Sequence, residues 1–205
     1  MPVLRHLCLL LLIALLAACG QQATLPRLTD GATILAFGDS ITYGTGATPE
    51  ESYPAQLAKL SGRVVINAGV PGNTSADGLA RLADTLDEQE SKPALLILGL
   101  GGNDFLRRLP EAETVANLRA MLDEAKRRQL PVLLLATPKP GFGLKVPDFY
   151  QELAKEYAIP LEDEALADIL ADNQSKSDLI HPNAAGYQQL AAAVAEALRD
   201  AGALK

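Results

Sequence analysis

Histidine is the side chain this sequence has least of relative to what it is asked to do. Only two occur, His6 and His181, and His6 lies in an apolar leader. Imidazole chemistry in the folded domain must therefore pass through His181. Cysteine is equally sparse. Cys8 and Cys19 are the only two, so the chain beyond Cys19 has no internal disulfide available and must be held by a hydrophobic core. Tryptophan is absent. Positive charge is short as well, with 18 Lys and Arg against 25 Asp and Glu. Arg5 is the one basic residue of the leader, so loss of the leader leaves 17 basic side chains and a formal charge of about −8. With no basic stripe, nucleic acid is not an expected partner. An anionic membrane surface would also attract the domain poorly, so membrane attachment would need a covalent lipid.

The first residues read as a targeting segment. Arg5 supplies a positive start, and the apolar run Leu7 to Leu16 is well short of the ~20 residues of a spanning helix. Leu16-Ala17-Ala18-Cys19 has the form of a bacterial lipobox. This predicts a signal peptide over residues 1–18, lipidation of Cys19, a tether over 19–32 and one domain over 33–205, with an ordinary secretory signal as the alternative. Gly20 is not the aspartate of an inner-membrane retention signal. The expected location is the cell envelope, anchored in the outer membrane and facing the periplasm or the cell surface. Gln21 to Asp30 is polar and aperiodic, as a tether would be.

Downstream, apolar runs alternate with amphipathic stretches. Thr33–Phe37, Val64–Ile66, Ala94–Leu98 and Val132–Ala136 read as strands, with a fainter one near Ile159–Leu161. Tyr53–Leu60, Ala76–Glu90, Thr114–Gln129, Phe149–Tyr157 and Asn183–Ala201 read as helices, with apolar residues at helical spacing, such as Val115, Leu118, Met121, Leu122 and Ala125. Strands apolar at every position are buried on both faces, so the pattern predicts an α/β fold with a parallel sheet between two layers of helices. In such sheets ligands bind outside the carboxyl ends of the strands. Three of those ends carry suggestive loops: Gly38-Asp39-Ser40, Gly69 to Asn73, and Gly101-Gly102-Asn103-Asp104.

A serine, the single histidine and an aspartate three residues before it, Asp178-Leu179-Ile180-His181, are the parts of a nucleophilic hydrolase. Ser40 follows a strand directly, and Asp39 reads as a turn former bonding nearby backbone. Pro182 keeps His181 extended at the mouth of the last helix, where Asp178 can fold back onto its ring. The Asn103 amide, the Gly72 N–H and the Ser40 N–H are candidate donors to an oxyanion. Taken singly, each loop is ordinary turn chemistry. Their occurrence in order on successive strand ends carries the inference.

These four blocks resemble those of the SGNH (GDSL) hydrolase family. Asn67 to Ser75 and Leu98 to Asp104 most resemble its bacterial periplasmic thioesterase/lysophospholipase/arylesterase branch. The resemblance implies a five-stranded sheet in flavodoxin-like order, Ser40 as nucleophile, His181 as base and Asp178 as its orienter. It also implies an oxyanion hole of Ser40, Gly72 and Asn103, a bracing role for Asp104, and neither cofactor nor metal. Phe105 stands where that branch tends to have glycine, and Pro138–Pro147 occupies the expected substrate wall with differing detail. Phe105, Leu106 and Phe142 are the candidate substrate-binding residues, packing of loops onto the domain being the plainer alternative.

The expected activity is hydrolysis of acyl, aryl or lysophospholipid-type esters by a monomer. The alternatives are O-acetyl removal from envelope polysaccharide, a non-catalytic binding lipoprotein on the same scaffold, and a nucleotide-binding flavodoxin-like domain. Gly38 to Gly46 lacks the lysine and spacing of a phosphate loop, which weakens the last.

Overall fold

The computed structural model describes residues 23–141 and 143–205. The expected signal peptide over residues 1–18, Cys19 and Phe142 lie outside these residues. Five strands form one parallel sheet: β1 (Thr33–Gly38), β2 (Val64–Gly69), β3 (Leu95–Gly99), β4 (Val132–Leu135) and β5 (Leu161–Glu162), in the order β2-β1-β3-β4-β5. This is the flavodoxin-like order implied by the family resemblance.

Alternation along the strands sorts side chains into two cores. Ile34, Ala36, Leu95, Ile97, Leu133 and Leu135 face one layer. Its helices are α2 (Tyr53–Ser61), α7 (Ala165–Ala171) and α8 (Ala184–Asp200). Leu35, Phe37, Leu96, Leu98 and Leu134 face the other. There lie α3 (Ser75–Asp87), α5 (Glu111–Arg127) and α6 (Phe149–Tyr157). The central strands are wholly buried, which is why they read as unbroken apolar runs. The edge strand β2 departs from that expectation: Val64 is 53% exposed, because only one side of β2 has a neighbouring strand.

Two one-turn helices, α1 (Ser40–Tyr43) and α4 (Gly102–Leu106), begin where the β1 and β3 loops were expected to carry chemistry. The chain before β1 also differs from a free tether. The Leu25 N–H donates to Ala201 O at 2.7 Å and the Leu28 N–H to Ala203 O at 2.9 Å. Leu28 is buried in the first core, and Arg63 donates to its carbonyl at 3.1 Å. The docked unit therefore starts eight residues before Thr33, held by two backbone bonds, the Arg63 bond and one buried leucine.

Candidate active site

The site is assembled at the carboxyl ends of β1, β2 and β3 and on the loop entering α8. Gly38 closes β1 where a side chain has no room: a Cβ there would lie 2.4 Å from Gly99 O on the neighbouring strand. Asp39 follows and caps α1, its Oδ1 accepting the Ile41 N–H at 2.9 Å. Ser40 is thus the first residue of α1. The first N–H groups of a helix have no intrahelical partner, so the Ser40 N–H is free of the helix ladder.

The sequence separates Ser40 from His181 by 141 positions, yet the Ser40 hydroxyl donates to His181 Nε2 at 3.0 Å. On the far side of the ring, His181 Nδ1 donates to Asp178 Oδ2 at 2.8 Å. A proton on Nδ1 leaves the Nε2 lone pair for the serine. The loop that presents this pair is built from local bonds. Asp178 Oδ1 accepts the N–H groups of Ile180 (2.8 Å) and His181 (2.9 Å). Ser177 N–H donates to His181 O at 2.9 Å, and Asn183 caps α8 by accepting from the Gly186 N–H at 3.1 Å.

The β2 and β3 loops meet through asparagine. Pro71 and Gly72 are the central pair of a turn closed by Asn73 N–H to Val70 O at 3.1 Å. Gly72 has φ +82°, the conformation such a turn demands after proline. Asn103 Nδ2 donates to Asn73 O at 2.9 Å and, more weakly, to Asp39 Oδ2 at 3.3 Å. Asp104 is buried and braces this corner, accepting from Ser75 N–H (2.8 Å), Ser75 Oγ (2.6 Å) and Thr114 Oγ1 (3.2 Å).

The two aspartates differ in ionisation. Burial pushes the Asp39 carboxyl up to about 6, against the lowering effect of the Ile41 N–H and of His181. Burial is also the largest single influence on Asp178, but its partners together outweigh it. The His181 imidazole and the two backbone N–H groups hold its carboxyl below the usual carboxylate range.

Ser40, Asn103 and His181 open on one cavity of about 450 Å³, whose apolar wall includes Ile41, Leu106, Leu144, Leu166, Leu170 and Leu179. Leu106 is therefore on the wall. Phe105 is not. Its ring packs toward Phe149, 6.3 Å between centroids, as part of the second core, because α4 turns successive side chains to different sides. Gly72 also lies off the cavity wall, and its loop reaches the site through the Asn73 carbonyl.

Arg81 carried no signal in the sequence, since most of its partners are backbone carbonyls. From α3 it donates to Gly38 O (2.8 Å), Ala68 O (3.0 Å) and Asn73 Oδ1 (2.7 Å), and its guanidinium lies 3.9 Å over the Phe37 ring. One side chain thus ties the ends of β1 and β2 to the loop that holds Asn103. Among the described residues no cluster of His, Cys, Asp and Glu is placed to hold a metal ion, and no helix is long and apolar enough to cross a membrane.

With this geometry in place, the chain can be set beside known proteins. Residues 36–189 match the GDSL-like lipase/acylhydrolase family. Esterase TesA of Pseudomonas aeruginosa is 32% identical over 190 residues, covering 86% of this chain and 92% of the relative. The Escherichia coli protein named thioesterase 1/protease 1/lysophospholipase L1 is 33% identical over 159 residues, covering 74% and 76%. The crystal structure of AlinE4, an SGNH-hydrolase family esterase, superposes with a TM-score of 0.65 at 36% identity, covering 85% of this chain and 98% of that one. The chain belongs to the GDSL-like lipase/acylhydrolase family and is a serine esterase of the SGNH type.

Proposed function

We propose that Ser40 is the nucleophile of this esterase, His181 its general base and Asp178 the group that orients the imidazole. The observation that carries this reading is the continuous hydrogen-bonded line from Ser40 Oγ through both ring nitrogens to Asp178 Oδ2. His181 takes the serine proton as Oγ attacks the ester carbonyl. The same imidazole, now charged and facing Asp178, protonates the leaving alcohol. It then deprotonates the water that cleaves the acyl-enzyme and returns that proton to Ser40.

The tetrahedral oxyanion rests on the Ser40 N–H and the Asn103 amide, both at the cavity, while the Gly72 N–H of the expected trio lies off its wall. Asn103 Nδ2 has both hydrogens engaged at rest, and the long bond to Asp39 is the one an oxyanion replaces. The apolar cavity wall favours an acyl or aryl group over a polar sugar, in keeping with relatives named for esterase, thioesterase and lysophospholipase activity. The lipobox at Leu16–Cys19 supports an enzyme cleaved after residue 18 and held in the envelope by lipid on Cys19. We take the catalytic unit to be the monomer, since Ser40, Asp178, His181 and Asn103 all come from one chain.

p-Nitrophenyl esters from acetyl to octanoyl test the proposal in the wild type and in Ser40→Ala. The expected result is turnover that favours chains longer than acetyl, and none in the variant at unchanged circular dichroism. Near-normal rates in Ser40→Ala would refute the assigned nucleophile, and a strong acetyl preference would point to O-acetyl substrates instead. Membrane fractionation of the wild type against Cys19→Ala checks the anchor.

A further inference from the structure

The catalytic cavity contains a cation that hydrolysis of a simple ester does not use. Lys176 lines the same cavity as Ser40 and His181, among Leu166, Leu170, Leu179 and Ile180. Its backbone is fixed by a bridge to Pro182, next to the catalytic histidine. Its side chain is half-buried, and Nζ donates to Leu170 O, in the last turn of α7, at 2.8 Å. Among the described residues it makes no ion pair. The carboxylates nearest in sequence have other hydrogen-bond partners, although Asp172 is close enough to feel the Lys176 charge. Asp178 accepts from His181 and Ile180, and Asp172 accepts from Gln174 N–H (2.9 Å) and Ser175 Oγ (2.7 Å).

An ammonium with one carbonyl partner on an apolar wall keeps water for its remaining donors. A neutral alkyl chain filling the cavity would strip that water and put nothing in its place, which is costly for a charge. A substrate with its own negative group would replace the water with a charge-assisted bond. Building on the esterase reading above, we propose that Lys176 is the subsite for an anionic group on the substrate. The preferred substrate is then an ester bearing a carboxylate or phosphate a few bonds from the scissile carbonyl, on either its acyl or its alcohol side.

Two pairs of esters test this and tell the sides apart. Mono-p-nitrophenyl adipate is compared with p-nitrophenyl hexanoate for the acyl side. A carboxyphenyl hexanoate is compared with phenyl hexanoate for the alcohol side. The readout is the ratio of kcat/KM for the charged ester to that for the neutral one. In Lys176→Met this ratio should fall ~10- to 100-fold in one pair, the usual worth of a hydrogen bond to a charged group. Lys176→Arg should retain most of it. Lys176→Gln, which keeps a donor for Leu170 O, should lose it and serves if the methionine variant folds poorly. Ratios unchanged within twofold in both pairs would overturn the proposal, even with a lowered Tm, and would leave Lys176 only a cap on α7. A wild type inactive on all four esters would instead overturn the esterase reading itself, and this inference with it.

Discussion

Asp39 and Asp178 are the same residue type beside the same serine and histidine, yet they are held in opposite ways. Asp39 belongs to the half of the site built on the sheet. It is 2% exposed, capped onto α1, and linked by Asn103 to the β2 loop. Burial dominates, and its carboxyl is pushed up to about 6. Asp178 belongs to the half built on the loop before α8. Its side chain is 52% exposed and bonded only to Ile180 and His181. There the hydrogen bonds together outweigh burial, and the carboxyl is held low. A long-range scaffold thus places the proposed nucleophile and oxyanion donors, while a short, locally folded loop delivers the proposed base. A change in the loop half should cost activity and little stability. A change in the sheet half should cost both.

The largest effect that can break this contrast is expected in the loop. Asp178→Asn keeps the shape but lets the imidazole adopt the wrong tautomer, which should lower kcat by ~10⁴-fold. Its Tm should stay within a few degrees of wild type. A Tm loss comparable to that of a core mutant would show that the loop is structural to the domain.

In the sheet half, Asn103→Ala removes one oxyanion donor and should lower kcat by ~10²–10³-fold. It also leaves Asn73 O without its donor, so thermal unfolding should show a loss of stability that Asp178→Asn does not.

Asp39 gives the contrast a pH signature. Its folded carboxyl at about 6 lies above its ordinary 3.8. Between those values the folded state holds a proton that the unfolded state has released, so this group's contribution to stability falls as pH rises through that window. Asp39→Asn has no such proton. Compared by denaturant unfolding, the stability difference between the two should move in the variant's favour by ~3 kcal/mol from pH 3.5 to pH 7. A constant difference would mean that Asp39 is not perturbed by burial.

The smallest activity effect expected is at Arg81. Arg81→Met replaces the cation over Phe37 with an apolar contact and frees the β1 and β2 ends and Asn73. Loosening of the Asn103 loop should lower kcat ~10-fold with KM little changed, well short of the ~10²-fold that a 1 Å misplacement can cost.

Much of this molecule is legible in its residues. The buried strands and long helices follow from unbroken apolar runs and 3.6-residue spacing, and Phe149–Tyr157 has the bounds expected of it. Elements of one or two turns escaped. Helices α1 and α4 are too short to repeat a pattern, and α7 shows only Leu166, Ile169 and Leu170 amid acidic residues. β2 runs on through Asn67-Ala68-Gly69, which have little strand propensity, because β1 supplies the pairing. Ser40, Asp178, His181 and Asn103 could be singled out because their chemistry narrows the choice of residue type. Arg81 could not, since its targets are mostly carbonyl oxygens that every residue has. Asp39 reads as a turn former in the sequence and does bond Ile41. Its reach to Asn103, 64 positions away, exists only once β1 and β3 pair.

The Ser40–His181 pair is tested most directly with a fluorophosphonate probe, which forms a covalent bond only to an activated serine. Mass spectrometry should find the phosphonyl group on Ser40 in the wild type. Labelling should be absent in Ser40→Ala and slowed at least ~10³-fold in His181→Ala. Labelling of another residue, or undiminished labelling without His181, would contradict the account.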